Sequence, residues 1–150
     1  MLFAQDPIYR TPLLARTLLG LALVLLIRVL PAGENPKLSI ELNKLAQQGD
    51  GCEIYLVFSN QLPIRFESLK LELVFFDKEG LIQRRLTLDA APLAATKTMV
   101  KLFQIPNTQC DSIGRVLIND VHKCQGQEGP VEDCLERMSV SFRGSVELIK

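Results

Sequence analysis

From Pro36 onward, apolar side chains recur at every second position, and this alternation constrains the chain more than any other feature. A period of two puts successive side chains on opposite faces of an extended backbone, so each such stretch reads as a strand with one covered face. Leu38, Ile40 and Leu42 share a face against Ser39, Glu41 and Asn43, and the phase then slips to Leu45, as a bulge would cause. The turn Gly49-Asp50-Gly51 supplies positive-φ positions and leads into Cys52, Ile54, Leu56 and Phe58. Leu69, Leu71, Leu73 and Phe75 mark a third strand, with Lys70 and Glu72 opposite, and Phe75-Phe76-Asp77-Lys78-Glu79-Gly80 ends it in a hairpin turn. Ile82, Leu86 and Leu88 form the fourth. There Arg84-Arg85 break the apolar face, as suits an edge strand that discourages edge-to-edge pairing.

After the loop Ala90-Ala91-Pro92-Leu93-Ala94-Ala95, a fifth strand runs from Lys97 to Ile105 with Thr98, Val100 and Leu102 on one face, and Pro106-Asn107 stops it. Val116, Leu117 and Ile118 are apolar on both faces and predict a central strand or a covered one. Met138, Val140, Phe142, Val146 and Leu148 alternate with Ser139, Ser141, Arg143, Ser145 and Glu147, with Gly144 marking a bulge or bend. One helical turn fits between Asp133 and Arg137. Seven short strands with closely spaced turns predict an all-β, immunoglobulin-like Greek-key sandwich, with an up-and-down barrel as the alternative.

Residues 1–33 read as an export leader. Arg10 and Arg16 precede an uncharged apolar run from Thr17 to Ile27, followed by Arg28 and the small residues Ala32 and Gly33. This is the three-part secretory pattern, and the run is shorter than the ~20 residues a spanning helix needs. Arg28 and Leu30 interrupt the approach to the cut, so a retained signal anchor with a snorkelling arginine is the alternative. No Arg-Arg pair precedes the run, which favours general export over the twin-arginine route. The domain proper is then 34–150. Three arginines and Asp6 leave with the leader, so the totals of 17 basic and 17 acidic residues become 14 and 16.

Cys52, Cys110, Cys124 and Cys134 are an even set, which in an oxidising compartment implies two disulfides with three possible connectivities. Their spacing contains no C-x-x-C knuckle, which disfavours zinc. Cys124 and Cys134 enclose a stretch with Gly126, Gly129 and Pro130, and closing so short a loop costs little entropy. That favours Cys52–Cys110 with Cys124–Cys134. In a sandwich the second and sixth strands begin at the same end, which brings Cys52 and Cys110 together.

The net charge of zero and the absence of a basic stripe exclude the electrostatic footprint of a nucleic-acid binder. A single histidine, no tryptophan and no glycine-rich phosphate loop leave little from which to build a catalytic constellation, so no enzyme activity, cofactor or metal is expected. His122 lies two residues after Asp120 and two before Cys124, where it would activate a free thiol; beside a disulfide it is an exposed strand-end histidine. Asp77 and Glu79 offer a carboxylate pair, but Asp-Lys-Glu-Gly lacks the ordered oxygen spacing of a calcium loop and reads as a turn. Arg84-Arg85 read as a solvated edge, with an anionic-ligand site as the alternative.

The stretch Phe66-Glu67-Ser68-Leu69, continuing through Leu73-Val74-Phe75-Phe76-Asp77-Lys78-Glu79-Gly80 to Pro92-Leu93-Ala94-Ala95-Thr96, resembles the FxLYD group of immunoglobulin-like envelope domains, with Ala95 in place of that group's glycine. Ile40-Glu41-Leu42-Asn43-Lys44-Leu45, Ser68-Leu69-Lys70-Leu71, Val100-Lys101-Leu102-Phe103 and Ile113-Gly114-Arg115-Val116-Leu117-Ile118-Asn119-Asp120-Val121 resemble a family of exported alphaproteobacterial proteins labelled by a Tat-pathway signal. That resemblance spans nearly all of the exported domain and all four cysteines. It implies export and no particular activity.

The expected role is a non-catalytic periplasmic or envelope module for protein interaction or assembly, with small-ligand or metal binding as the alternative. The candidate surfaces are the loop from Cys124 to Cys134, whose acidic feature is Glu128, Glu132 and Asp133, and the edge of the fourth strand. The expected partner is an envelope or inner-membrane protein. Membrane contact is confined to residues 1–33, should they be retained.

Overall fold

The structure is a computed structural model in which residues 37–150 are described; the expected leader, residues 1–33, lies outside them. The described residues form nine strands: β1 (Leu38–Gln48), β2 (Gly51–Asn60), β3 (Phe66–Asp77), β4 (Ile82–Asp89), β5 (Lys97–Ile105), β6 (Ile113–Gly126), β7 (Gly129–Pro130), β8 (Met138–Phe142) and β9 (Glu147–Ile149). One 3-10 turn, Cys110–Ser112, precedes β6. The strands build an immunoglobulin-like β-sandwich. One sheet has the order β5-β2-β1-β8; the other runs β4-β3-β6, with β7 and β9 on the remaining side of β6.

Alternation decides what each sheet buries. Leu38, Ile40 and Leu42 of β1 and Cys52, Ile54, Leu56 and Phe58 of β2 are buried, as are Leu69, Leu71, Leu73 and Phe75 of β3. The expected slip in β1 is a bulge between Leu42 and Lys44, which turns Leu45 back toward the core. Phe58, Phe66 and Phe75 are the largest fully buried side chains, each stabilising the fold by about 1.5–3 kcal/mol relative to exposure. β6 is central, between β3 and β9; Val116 and Ile118 are buried on its core face, and Leu117 on the other face is half-buried.

The sulfurs pair as the loop argument favoured. Cys52–Cys110 joins the start of β2 to the turn before β6, and so ties one sheet to the other, with Cα atoms 5.0 Å apart. Cys124–Cys134 closes the loop after β6, with Cα atoms 6.4 Å apart.

Several local expectations are corrected. Seven strands become nine because the expected seventh does not stay in one sheet. Its first part, β8, runs parallel to β1; the chain then crosses at Gly144 (φ +82°) and its last part, β9, runs parallel to β6. Phe142, at the crossing, is 44% exposed rather than buried. The two-residue β7 is too short to show a period. In the β1–β2 turn only Gly49 has positive φ; Gly51 is needed instead because a Cβ there would sit 2.9 Å from the Ile105 carbonyl oxygen. Between Asp133 and Arg137 the backbone makes one turn, Arg137 N–H donating to the Asp133 carbonyl at 3.1 Å, without becoming a helix.

A candidate interaction surface at the disulfide-closed loop

The loop after β6 is fixed at several points. β7 folds back on the end of β6 through the pairs Gln125–Pro130 and Gly126–Gly129, leaving Gln127 and Glu128 at the tip. Val131 N–H donates to the Cys124 carbonyl at 3.1 Å, and Cys134 is buried against the core with Val131 and Leu135 packed beside it. Lys150 Nζ donates to the carbonyls of Leu135 and Met138, tying the last residue to the same loop. With its ends covalently joined and its middle hydrogen-bonded, this segment presents its outer side chains in a fixed arrangement.

The β2–β3 connection faces it, and Asn60 sets that connection's shape. The Asn60 side chain is 2% exposed; its amide donates to the carbonyls of Ile64 (2.8 Å) and Ala94 (2.9 Å), and its oxygen accepts from Leu62 N–H (3.1 Å). Gly126, buried at the end of β6, lies beside this connection, the place of a Cβ there being 3.4 Å from the Arg65 carbonyl oxygen, an ordinary contact distance. Between the two segments lies a groove of about 430 Å³. Pro63, Ile64, Pro130 and Val131 give it apolar surface, while Arg65, Arg137, Glu128 and Glu132 bring both signs of charge. Arg137 Nε donates to the Glu132 carbonyl at 3.1 Å, and Arg65 lies 3.6 Å from Glu67. Mixed charge over an apolar floor suits a peptide segment better than a single small ion.

The expected acidic feature is divided by the loop. Glu128 and Glu132 line the groove, whereas Asp133 (φ +52°) is turned to the other flank, beside Asp120, His122 and Glu136. The β4 edge is an edge, as expected, but its two arginines differ. Arg84 is opposite buried Phe75 and takes the core-facing phase; Arg85 faces outward, with Nε 3.4 Å from Glu72 Oε1.

Glu72 is the residue the alternation undervalued. It stands on the outer face of β3 yet is 9% exposed, because Asn119 Nδ2 (2.8 Å), His122 Nε2 (3.1 Å) and Arg85 converge on its carboxylate. His122 is thus held by a carboxylate on the neighbouring strand, and its Nδ1 lies 3.7 Å from Asp120. All four cysteines are paired, so the thiol that His122 would have activated is a disulfide sulfur. Asp77 Oδ1 accepts from the backbone N–H groups of Glu79 (3.1 Å) and Leu81 (2.7 Å), closing the hairpin turn with the oxygen that the calcium alternative needed. Among the described residues no group of three or more His, Cys, Asp or Glu side chains is placed to hold a metal ion, and no helix is long and apolar enough to cross a membrane.

A second opening, about 440 Å³, lies where β1 bulges beside the β8–β9 crossing. Leu42, Leu45 and Val146 line it, with Lys44, Asp111 and Arg143 around them.

A scan of protein-family models matched none, and a search of curated proteins found no match. Among solved structures, the chain is similar to IrmA from Escherichia coli, at 14% identity and a TM-score of 0.54, over 71% of this chain and 92% of that one. At that identity the likeness concerns the fold alone, and it places the same β-rich architecture in a second, separately determined protein.

Proposed function

We propose that this domain is a non-catalytic protein-interaction or assembly module of the periplasm or cell envelope. The observation that carries the reading is the groove of about 430 Å³ between the disulfide-closed loop and the β2–β3 connection, both walls of which are pinned to the core. Preorganised walls lower the ordering cost of binding, and the groove holds an apolar floor and charges of both signs within one contact. Two disulfides in so small a domain suit an oxidising compartment, consistent with an exported protein and with the resemblance to exported alphaproteobacterial proteins and FxLYD-type domains.

The test is recovery of the carboxy-tagged protein from its native envelope in mild detergent, with partners identified by mass spectrometry and the bait's intact mass measured. A stoichiometric partner that is lost in the exposed-site variants Arg65→Glu and Glu128→Lys supports the reading. A lone, fully oxidised monomer defeats it.

The second opening favours another reading, a binder of small ligands. Its lining by Leu42, Leu45 and Val146 beside Lys44 and Arg143 suits an amphipathic anion. Retention of a small molecule by the purified protein, lost in Val146→Asp, would carry that alternative.

A further inference from the structure

β5 pairs only with β2, so its other side is a free sheet edge. All nine of its residues pair with β2 without a bulge, Cys52 with Ile105 through to Asn60 with Lys97. At about 3.3 Å per residue this is a straight edge of about 30 Å. Val100 and Leu102 project from its outer face, 56% and 51% exposed, beside Val57 and Tyr55, their partners on β2. A long, regular, partly apolar edge is an invitation to strand addition unless something blocks it.

Lysine is what guards it. Lys101 is opposite the buried Leu56 and therefore takes the core-facing phase, between Met99 and Phe103; Lys97 takes the same phase at the strand's start. Neither ammonium has a carboxylate partner among the described residues. The β4 edge of the second sheet is guarded alike, with Arg84 in the core-facing phase. These cations oppose self-association in the arrangements that set them against one another. Two β5 edges set antiparallel, with Val100 facing Leu102, bring Lys101 against Lys101, and a β5 edge on a β4 edge sets lysines near Arg84 and Arg85. Like charges directly opposed across a ladder are destabilising.

We propose that the β5 edge is a docking site for an extended, acidic segment of another protein, which adds to the sheet as an antiparallel strand. Charge complementarity defines the segment: carboxylates opposite Lys101 and Lys97, four residues apart, and apolar side chains opposite Val100 and Leu102, on either side of the first carboxylate. Backbone hydrogen bonds to β5 supply affinity, and the two carboxylates supply selection by neutralising cations that repel a strand with basic residues at those positions. The assignment gives a chemistry to the partner in the interaction reading and rests on that reading, but it uses a surface separate from the loop groove.

The probe is the peptide Ser-Thr-Ala-Val-Glu-Val-Ala-Thr-Glu, compared with a twin carrying Lys for both Glu, on the full chain in mild detergent. The Glu peptide is expected to bind at least tenfold tighter than its twin and to slow hydrogen exchange at the β5 amides that point away from β2. Lys101→Glu should reverse the preference, and Lys97→Glu, at an exposed strand end, should weaken it without risk to the core. Equal binding of the twins, indifference to both substitutions, or protection at other strands would overturn the assignment. So would a free protein already dimeric with those amides protected, since the occupant would then be a second copy. If the peptide fails while the envelope protein still retrieves a partner that Arg65→Glu releases, the edge assignment falls and the interaction reading stands. If the peptide binds as described but no partner is retrieved, the edge accepts acidic strands but the interaction reading falls, and the assignment of a protein partner to the edge falls with it.

Discussion

Removing the two disulfides one at a time should cost unequal amounts, in an order that chain length dictates. In the chain-entropy view a cross-link acts by restricting the unfolded chain, and the restriction grows with the logarithm of the loop it closes. Cys52–Cys110 spans a separation of 58, for which that relation gives about 4 kcal/mol at 25 °C. Cys124–Cys134 spans a separation of 10, which gives about 2.7 kcal/mol. The pairs Cys52→Ala/Cys110→Ala and Cys124→Ala/Cys134→Ala are the variants to compare. Cys52 is fully buried, so its truncation adds a small packing loss in the same direction. With a urea m-value of about 2 kcal/mol/M, the unfolding midpoint should drop by about 2 M for the first pair and about 1.3 M for the second. Equal drops, or a larger one for the short loop, would refute the reasoning and show that the staples act chiefly on the folded state.

Gly114→Ala should destabilise by about 1–3 kcal/mol, since its Cβ would clash with the Asp77 carbonyl and push β6 away from the β3–β4 turn; thermal unfolding measures this. Asn60→Leu removes three hydrogen bonds at a buried position, leaving Leu62 N–H and two carbonyls unpaired; a loss of about 2–4 kcal/mol is expected, with faster amide exchange at Leu62. Glu41 titrates below its ordinary value of 4.5, because Asn43 and then Arg143 hydrogen-bond its charged form. A lowered folded value means its contribution is fully present above that ordinary value and is lost as pH falls through the lower folded one. The stability gap between the native protein and Glu41→Gln should therefore be constant near neutrality and close in acid, as urea titrations at a series of pH values would show.

Much of the fold was legible because a period of two is local. The β1 bulge could be seen in the slip from Leu42 to Leu45, and the full extent of β5 in Lys97 to Ile105. Alternation tells which residues share a face but not which face is covered. Thus Thr98, Val100 and Leu102 were grouped correctly, while only the structure shows that theirs is the outward side of an edge. Glu72 and Asn60 escaped notice because their partners lie on other segments: Asn119 and His122 for one, Ala94 for the other. The last strand was misjudged for a similar reason. Its alternation survives the crossing at Gly144, so the pattern carries no sign that the chain has changed sheets. Of the candidate loop, closure by Cys124 and Cys134 was readable, but the opposite wall, Pro63 to Arg65, was not, since nothing local joins it to residues sixty positions away.

That crossing has a mechanical consequence. β1 and β8 are neighbours that point the same way, paired from Leu38 with Met138 to Leu42 with Phe142. Tension between the N-terminal end of β1 and the C-terminal end of β8 therefore tries to slide one strand along the other, loading all five pairs at once. The β1–β2 hairpin, pulled apart at its open end, would instead peel one pair at a time. A domain held from both ends in this way resists stretching in shear, and the three parallel pairs of β9 with β6 extend that resistance to the second sheet.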